Sequence, residues 1–363
     1  MARKRVRELG LVIGSGTPGP RNAISDVPGV KVGHTTLIEG EGKLVPGAGP
    51  IRTGVTAILP HGGNLYDEPV GAAAHVINGF GKATGLAQVA ELGVLEAPIL
   101  ITSTLNVGLV WDAAVQYLID QNPEAAISSP TPNPVVLECH DGFLNDAQGR
   151  HVRQQHVLSS IEKCSTKVVE GCVGAGTGMT AYGYKSGIGT ASRRLAKKHG
   201  AHTVGCLVVL NCGRRGDLIM GGIPVGKLLK DPQTDRMCPR GEDGSIIVIL
   251  GTDAPLSSRQ LGRLARRAVV GIGRTGSVVS HGSGDFVVAF STVPRISRQK
   301  RIFTTRDQLP DKLLTPLFAA VAEATEEAIL NALCMAESME GRDGNLAEAI
   351  PIDRLRHLIE RFK

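Results

Sequence analysis

Aromatic residues are scarce in this chain: 7 Phe, 4 Tyr and 1 Trp make up 3% of 363 residues. A nucleic-acid surface needs stacking platforms interleaved with basic groups, and that material is missing. The basic clusters Arg3-Lys4-Arg5 and Arg193-Arg194 with Lys197-Lys198 therefore read as solvated charge, although the net charge is +6. No unbroken apolar run approaches the roughly 18 residues that a membrane helix needs. The stretch Leu9 to Ile13 behind the basic start is too short for a signal sequence. Cys-x-x-Cys is absent, and the 7 cysteines (139, 164, 172, 206, 212, 238 and 334) are odd in number. Several, such as Cys172 and Cys206, lie in apolar runs, which fits reduced, buried thiols and a cytoplasmic setting. Histidines at metal-binding spacing are lacking too. His151 and His156 miss the i, i+4 relation, and His199 and His202 flank a turn without a carboxylate nearby in sequence, so no metal is expected.

What is abundant is glycine, 46 residues, with 20 prolines and 42% hydrophobic residues. Small aliphatics packed between sheets and helices are the expected core, with many turns. Asn22 to His34 predicts a short hairpin turning at Pro28-Gly29. Val55–Leu59, Ile99–Thr102, Val135–Leu137, Val168–Val173 and Thr203–Leu210 predict buried strands. Helices are expected after Gly85, with Leu86, Val89, Ala90 and Leu92 inward, and from Trp111 to Ile119. A third is expected from the Ser257/Gln260 capping box to about Val270, with Leu261, Leu264, Ala265, Ala268 and Val269 as its apolar stripe. A long one runs from Thr315-Pro316 to about Met339, with Gly341 as the stop. Lys230 to Gly244, charged and proline-bearing, reads as an exposed linker. Neither repeats nor a composition shift divide the chain.

Arg240 to Thr252 organises the rest. A polar loop ends at Gly244, and Ser245 opens Ile246-Ile247-Val248-Ile249-Leu250, an apolar β-branched run that reads as a buried strand. On local features Ser245 is a boundary residue. Its hydroxyl also stands one bond from chemistry: attack on the Gly244 carbonyl would shift the chain from amide to ester, and water would then cut it. Ser245 would become an N-terminus carrying nucleophile and amine together. Unperturbed, such an amine has a pKa of about 7.7–8.0, close to what a general base needs near neutrality.

Two glycine motifs and one histidine cluster compete with this reading. Gly271-Ile272-Gly273-Arg274-Thr275-Gly276 matches G-x-G-x-x-G but follows a helix instead of opening one. Gly174 to Gly178 lacks the third glycine and a phosphate-binding lysine, so both read as tight turns and no cofactor is expected. His281 beside Ser283 and Asp285 suggests a Ser-His-Asp hydrolase, without a Gly-x-Ser-x-Gly elbow. Ser280 to Asp285 reads as a polar turn leading into a strand from Phe286 to Phe290.

Taken together and in order, several blocks resemble the DmpA-like aminopeptidases (family S58), which include D-Ala-esterase/amidases and β-peptidyl aminopeptidases. The blocks are Asn22–His34, Asn78–Lys82 through Gly93, Pro98–Gly108, Gly174–Met179 with Lys185–Arg193, Pro316–Ile329, and Gly341–Gly344. The resemblance implies one α/β domain over 1–363, a four-layer αββα sandwich like that of N-terminal nucleophile hydrolases but with different connectivity. It implies cleavage between Gly244 and Ser245, with fragments 1–244 and 245–363 remaining associated, and a homo-oligomer, often a tetramer. Ser245 then matches the nucleophile, and Ser283 and Asp285 the Ser-x-Asp/Glu pair behind it. Asn211 matches the oxyanion-stabilising amide, and Glu138 the carboxylate that pairs with the substrate ammonium. Where the resemblance leads one to expect an aromatic hydroxyl, just before Asp141-Gly142, this chain has His140, whose imidazole can donate a hydrogen bond. The implied activity is release of N-terminal residues from small peptides, amides or esters. The other class of function is a non-catalytic relative that binds an amino compound.

Overall fold

The structure, a computed structural model, describes residues 2–229, 244–298 and 308–362. The expected linker lies outside them up to Asp243, Cys238 included, and its last residue, Gly244, belongs to a strand. The first half of the chain contributes strands β1 (Lys31–Glu39), β2 (Ile51–Leu59), β3 (Val70–Gly79), β4 (Val94–Leu95), β5 (Ile99–Ser103) and β6 (Val135–Cys139). Its helices are α1 (Leu86–Leu92), α2 (Val107–Gln121) and α3 (Gln154–Glu162). A small hairpin of β7 (Thr180–Ala181) and β8 (Tyr184–Lys185) precedes β9 (Ile188–Arg194), β10 (Thr203–Asn211) and the short α4 (Val225–Leu228). Then come β11 (Gly244–Thr252), α5 (Ser258–Ala265), α6 (Ala268–Arg274), β12 (Ser283–Arg295) and α7 (Leu314–Cys334). The pair β13 (Met339–Glu340) and β14 (Leu346–Ala347) and helix α8 (Ile352–Arg361) close the chain.

These strands build two main sheets, ordered β1-β2-β5-β6 and β4-β3-β12-β11-β10-β9. Side chains alternate along each strand, and that alternation sorts the core into three layers. Val204, Cys206, Val208 and Leu210 of β10, with Ile246, Val248 and Leu250 of β11, face α5, α6 and α7. Leu207, Val209, Ile247 and Ile249 point the other way, onto Ile99, Ile101, Val135 and Leu137 of the second sheet. That sheet turns Val55, Ala57, Leu100 and Val136 toward α2 and α3. The result is the expected αββα sandwich. Burying each large aliphatic is worth about 1.5–3 kcal/mol, and Ile246 to Ile249 are completely buried. β11 is therefore anchored along its length, which fixes the residue at its N-terminal end.

Several expectations need correcting. Asn22–His34 is no hairpin: a 3-10 turn at Ile24–Asp26 leads into β1, whose partner is β2. Val168–Val173 forms no strand; Gly171 alone bridges Ile188. In α1 only Val89 is buried, Ala90 is exposed and Leu92 is 61% exposed, because the helix ends at Gly93 after seven residues. The capping box at Ser257 forms, but the helix breaks at Arg266-Arg267, and Val269 is 37% exposed. Gly271 and Gly273 sit inside α6, not in a turn; a Cβ on Gly271 would lie 2.6 Å from the Ala322 carbonyl oxygen of α7. α7 starts at Leu314, so Thr315 is not its cap, and it ends at Cys334. Pro316 falls in the first turn, where a missing N–H costs nothing.

Arg193, read as surface charge, is buried. Its guanidinium contacts Glu323 at 2.9 Å and Glu327 at 2.6 Å, both on α7, and donates to the Ile13 carbonyl at 2.8 Å. Arg7 reaches Glu327 from the N-terminal segment at 2.6 Å. This network ties the chain start, β9 and α7 together. The six described cysteines are free; Cys206 is buried as expected, while Cys172 is only partly covered.

Candidate active site

One end of the six-stranded sheet gathers the candidate residues. β10 runs antiparallel to β11, and the register sets Asn211 opposite Ser245. β12 runs parallel to β11, which places Gly244 beside Ser283, Ser245 beside Gly284 and Ile246 beside Asp285. β3 is antiparallel to β12, so Asn78 arrives at the same end, beside Asp285. Ser283, Gly284 and Asp285 therefore belong to β12 and not to a preceding turn. Residues far apart in sequence meet because four strands end or begin together.

Ser245 is 4% exposed and lies on a cleft of about 290 Å³. Phe80, Lys82, Thr104, Glu138, His140 and Asn211 share its lining. The Asn211 amide donates from Nδ2 to Ser245 Oγ at 3.2 Å, and its Oδ1 accepts from the Thr180 N–H at 3.4 Å. Ser283 Oγ donates to Asp285 Oδ1 at 2.7 Å, and the Ile246 N–H donates to the same oxygen at 3.1 Å. Asp285 Oδ2 is buried and has no partner among the described residues. Burial pushes the Asp285 carboxyl up to about 6, against the hydrogen bonds from Ser283 and Ile246. An incompletely paired buried carboxylate is costly, and here it stands one strand from the serine.

Across the cleft, Glu138 is 3% exposed at the end of β6. Its Oε1 accepts from the Lys82 backbone N–H at 2.8 Å, and its Oε2 accepts from the Thr104 hydroxyl. Two donors fix the carboxylate and leave lone pairs for a third. His140 is exposed, and a Cβ on Gly142 would come within 2.6 Å of its ring. Lys82 can approach because Gly81 and Gly284 touch: a Cβ on Gly81 would lie 2.6 Å from Phe286 and 3.2 Å from the Gly284 Cα. The thiols nearest the serine do not compete with it. Burial pushes Cys139 well above the ordinary thiol range and Cys212 up to about 12, so both remain protonated and unreactive near neutrality.

His281 does not complete a triad. Its ring lies 6.4 Å from that of Phe80, centroid to centroid, while Asp285 takes its hydrogen bonds from Ser283 and Ile246. The Asn78 amide holds the backbone of this turn, donating to the carbonyls of Ser280 at 3.1 Å, His281 at 2.9 Å and Ser283. Asn78, Phe80, Lys82 and Thr104 carry no individual signal in the sequence, since each acts through contacts made across the fold.

A serine at the head of a buried strand, facing an asparagine amide and backed by a Ser-x-Asp pair, matches the arrangement expected above. The sequence profile of peptidase family S58 matches residues 22–347. The chain belongs to this family. It is thus a hydrolase of the serine aminopeptidase type, and its S58 relatives match over nearly all of it. A β-peptidyl aminopeptidase, BapA, of Sphingosinicella microcystinivorans is 42% identical over 99% of this chain and 92% of the relative. The PH0078 protein of Pyrococcus horikoshii OT3 superposes with a TM-score of 0.95 at 49% identity, covering 99% of both chains. The L-aminopeptidase D-Ala-esterase/amidase of Ochrobactrum anthropi, described as a variant of the Ntn hydrolase fold, gives 0.90 at 39% identity over 99% of this chain and 98% of its own. No helix among the described residues is long and apolar enough to cross a membrane.

Proposed function

We propose that this S58 peptidase cuts itself between Gly244 and Ser245 and then removes N-terminal residues from small peptides, amides or esters. The observation that carries the reading is the position of Ser245: its Oγ lies 3.2 Å from the Asn211 amide, in a cleft shared with Glu138 and next to the Ser283–Asp285 strand. In processing, Ser245 Oγ adds to the Gly244 carbonyl, the amide becomes an ester, and water hydrolyses it. Both fragments supply strands to one sheet, β10 from the first and β11 and β12 from the second, so they stay together.

In turnover, Glu138 receives the substrate ammonium through charge-assisted hydrogen bonds. Ser245 Oγ attacks the carbonyl, and its proton passes to the Ser245 α-amine. The amine passes that proton to the departing amine or alcohol. Water then attacks the acyl-enzyme, releasing the N-terminal residue and restoring the hydroxyl. Asn211 stabilises the oxyanion formed in both halves. Ser283 and Asp285 orient the α-amine, which supplies the donor that the Asp285 carboxylate lacks in the uncut chain. The relatives' names support this substrate class, and assembly as a homo-oligomer, a tetramer by resemblance, belongs to the same proposal.

Hydrolysis of alanyl p-nitroanilides in L, D and β-alanyl forms tests it. The wild-type chain should release p-nitroaniline, and Ser245→Ala should be both uncut and inactive. Turnover by Ser245→Ala would overturn the reading.

A further inference from the structure

Lys82 occupies an unusual place in the cleft. Its backbone N–H holds Glu138 Oε1 at 2.8 Å, while its side chain is exposed, lines the same cleft and lies 5.7 Å from the centre of the Phe80 ring. It forms no ion pair with any described residue. Phe80 is itself 60% exposed and has His281 on its ring at 6.4 Å. The cleft thus has an acid held on its wall and an unpaired ammonium on its lining, both fixed through one residue. His140, whose imidazole makes no hydrogen bond to a described residue, adds a second potential donor there. The backbone at Lys82 is fixed by its bond to Glu138 and by the close approach of Gly81 to Gly284, so the side chain starts from a set position.

We infer that Lys82 selects substrates whose leaving group carries a carboxylate, and that the preferred leaving group is a single amino acid with a free C-terminus. This rests on the aminopeptidase reading and deepens it: Glu138 reads the ammonium of the substrate and Lys82 the acid at its other end. The dimensions fit. A cleft of about 290 Å³ lies at the small end of ligand sites, which run from about 300 to 1,000 Å³, and suits a short substrate. The C-terminal carboxylate lies one residue beyond the scissile bond, on the order of 3.5 Å along an extended chain. The Phe80 ring, 5.7 Å from the ammonium, adds a cation–π attraction that favours holding it over the cleft. Because Lys82 cradles Glu138 through its backbone, substitution of its side chain leaves that N–H in place.

The test compares kcat/KM for alanyl-alanine, alanyl-alanine amide and alanyl-glutamate amide in the L, D and β-alanyl forms. An exposed charge pair is a modest contribution, so the wild-type enzyme should favour alanyl-alanine over its amide by about threefold to fivefold. The preference should shrink as salt is raised toward 0.5 M. Lys82→Gln should bring the ratio to about 1, and Lys82→Glu should invert it. A merely structural role would depress both substrates together and leave the ratio unchanged. Alanyl-glutamate amide identifies the source: favoured as strongly as alanyl-alanine, it would overturn the assignment of the C-terminal carboxylate in favour of any acidic leaving group. A wild-type ratio near 1, or a ratio indifferent to Lys82→Glu, overturns the inference while leaving the aminopeptidase standing. No turnover of these compounds by an enzyme that still releases p-nitroaniline overturns this inference alone; failure on both sets overturns the aminopeptidase reading with it.

Discussion

Replacing Asn211 by Asp isolates one interaction with little change of shape. The Asn211 amide donates to Ser245 Oγ at 3.2 Å, at the long end of a normal N–H···O bond, and the Thr180 N–H orients its other end at 3.4 Å. An N–H that donates to the nucleophile lies within reach of the substrate carbonyl oxygen, which becomes negative once Oγ bonds to the carbonyl carbon. Losing one such donor typically costs about 10²- to 10³-fold in kcat, or about 2.7–4 kcal/mol of transition-state stabilisation. Asp adds a negative charge beside the developing oxyanion, so Asn211→Asp should fall at or beyond the upper end and Asn211→Ala within the range. Because the bond strengthens in the transition state, KM should move little. The assay is kcat and KM on an alanyl p-nitroanilide, normalised to the cleaved fraction measured by mass spectrometry, since the same donor serves processing. A kcat within tenfold of wild type for Asn211→Asp, or a loss carried by KM alone, would refute the assignment.

Other consequences follow from the same geometry. Glu138→Gln keeps the bonds from Lys82 and Thr104 possible but removes the charge that meets the substrate ammonium. A hydrogen bond to a charged group is worth about 1.5–3 kcal/mol, so kcat/KM should drop about 10- to 100-fold; equal hydrolysis of N-acetylated and free-amine substrates by the wild type would sink this role. Asp285 is raised to about 6 in the uncut chain by burial, so conversion of refolded precursor should slow as pH falls through about 6, where the carboxylate gains its proton. The sign for stability is the reverse. A carboxyl raised in the folded state contributes stability below its unfolded value, and that stability is lost as pH rises through about 6. Asp285→Asn should therefore be at least as stable as wild type near neutrality while losing the acid limb of processing; a processing profile unchanged in that variant argues against it. Arg193→Ala strands Glu323 and Glu327 without their buried partner. Breaking such a pair costs about 3–5 kcal/mol, visible as a lower denaturation midpoint, and a midpoint unchanged from wild type would show the network to be dispensable.

Strand content was legible where periodicity and burial agreed. The apolar runs at β10 and β11 could be read directly because both faces are covered, one by helices and one by the second sheet. The failures have a common cause. Val168–Val173 looks like a strand but lies where the chain is held by a single bridge, and Leu92 looks like core but sits on a helix too short to keep its face inward. Arg193 looked solvated because its partners, Glu323 and Glu327, are 130 and 134 positions away. Within the site, Ser245 is legible from its place before a buried strand, while the roles of Asn211, Ser283, Asp285, Glu138 and His140 come from the resemblance, and the fold brings all six to one end of the sheets. Asn78 and Thr104 lie in blocks that carry the resemblance but have no role legible in the sequence, because an amide at a strand end and a hydroxyl after one are ordinary loop features. Only the meeting of β3, β5, β6 and β12 gives them work, and no local spacing records it.

The central claim is that Ser245 becomes an N-terminus, and intact mass under denaturing conditions with N-terminal sequencing tests it most directly. The account predicts two species, residues 1–244 and 245–363, the smaller beginning Ser-Ile-Ile-Val-Ile, and a single uncut chain for Ser245→Ala. A wild-type enzyme that hydrolyses its substrate as one intact 363-residue chain, or a fragment beginning at any other residue, would contradict it.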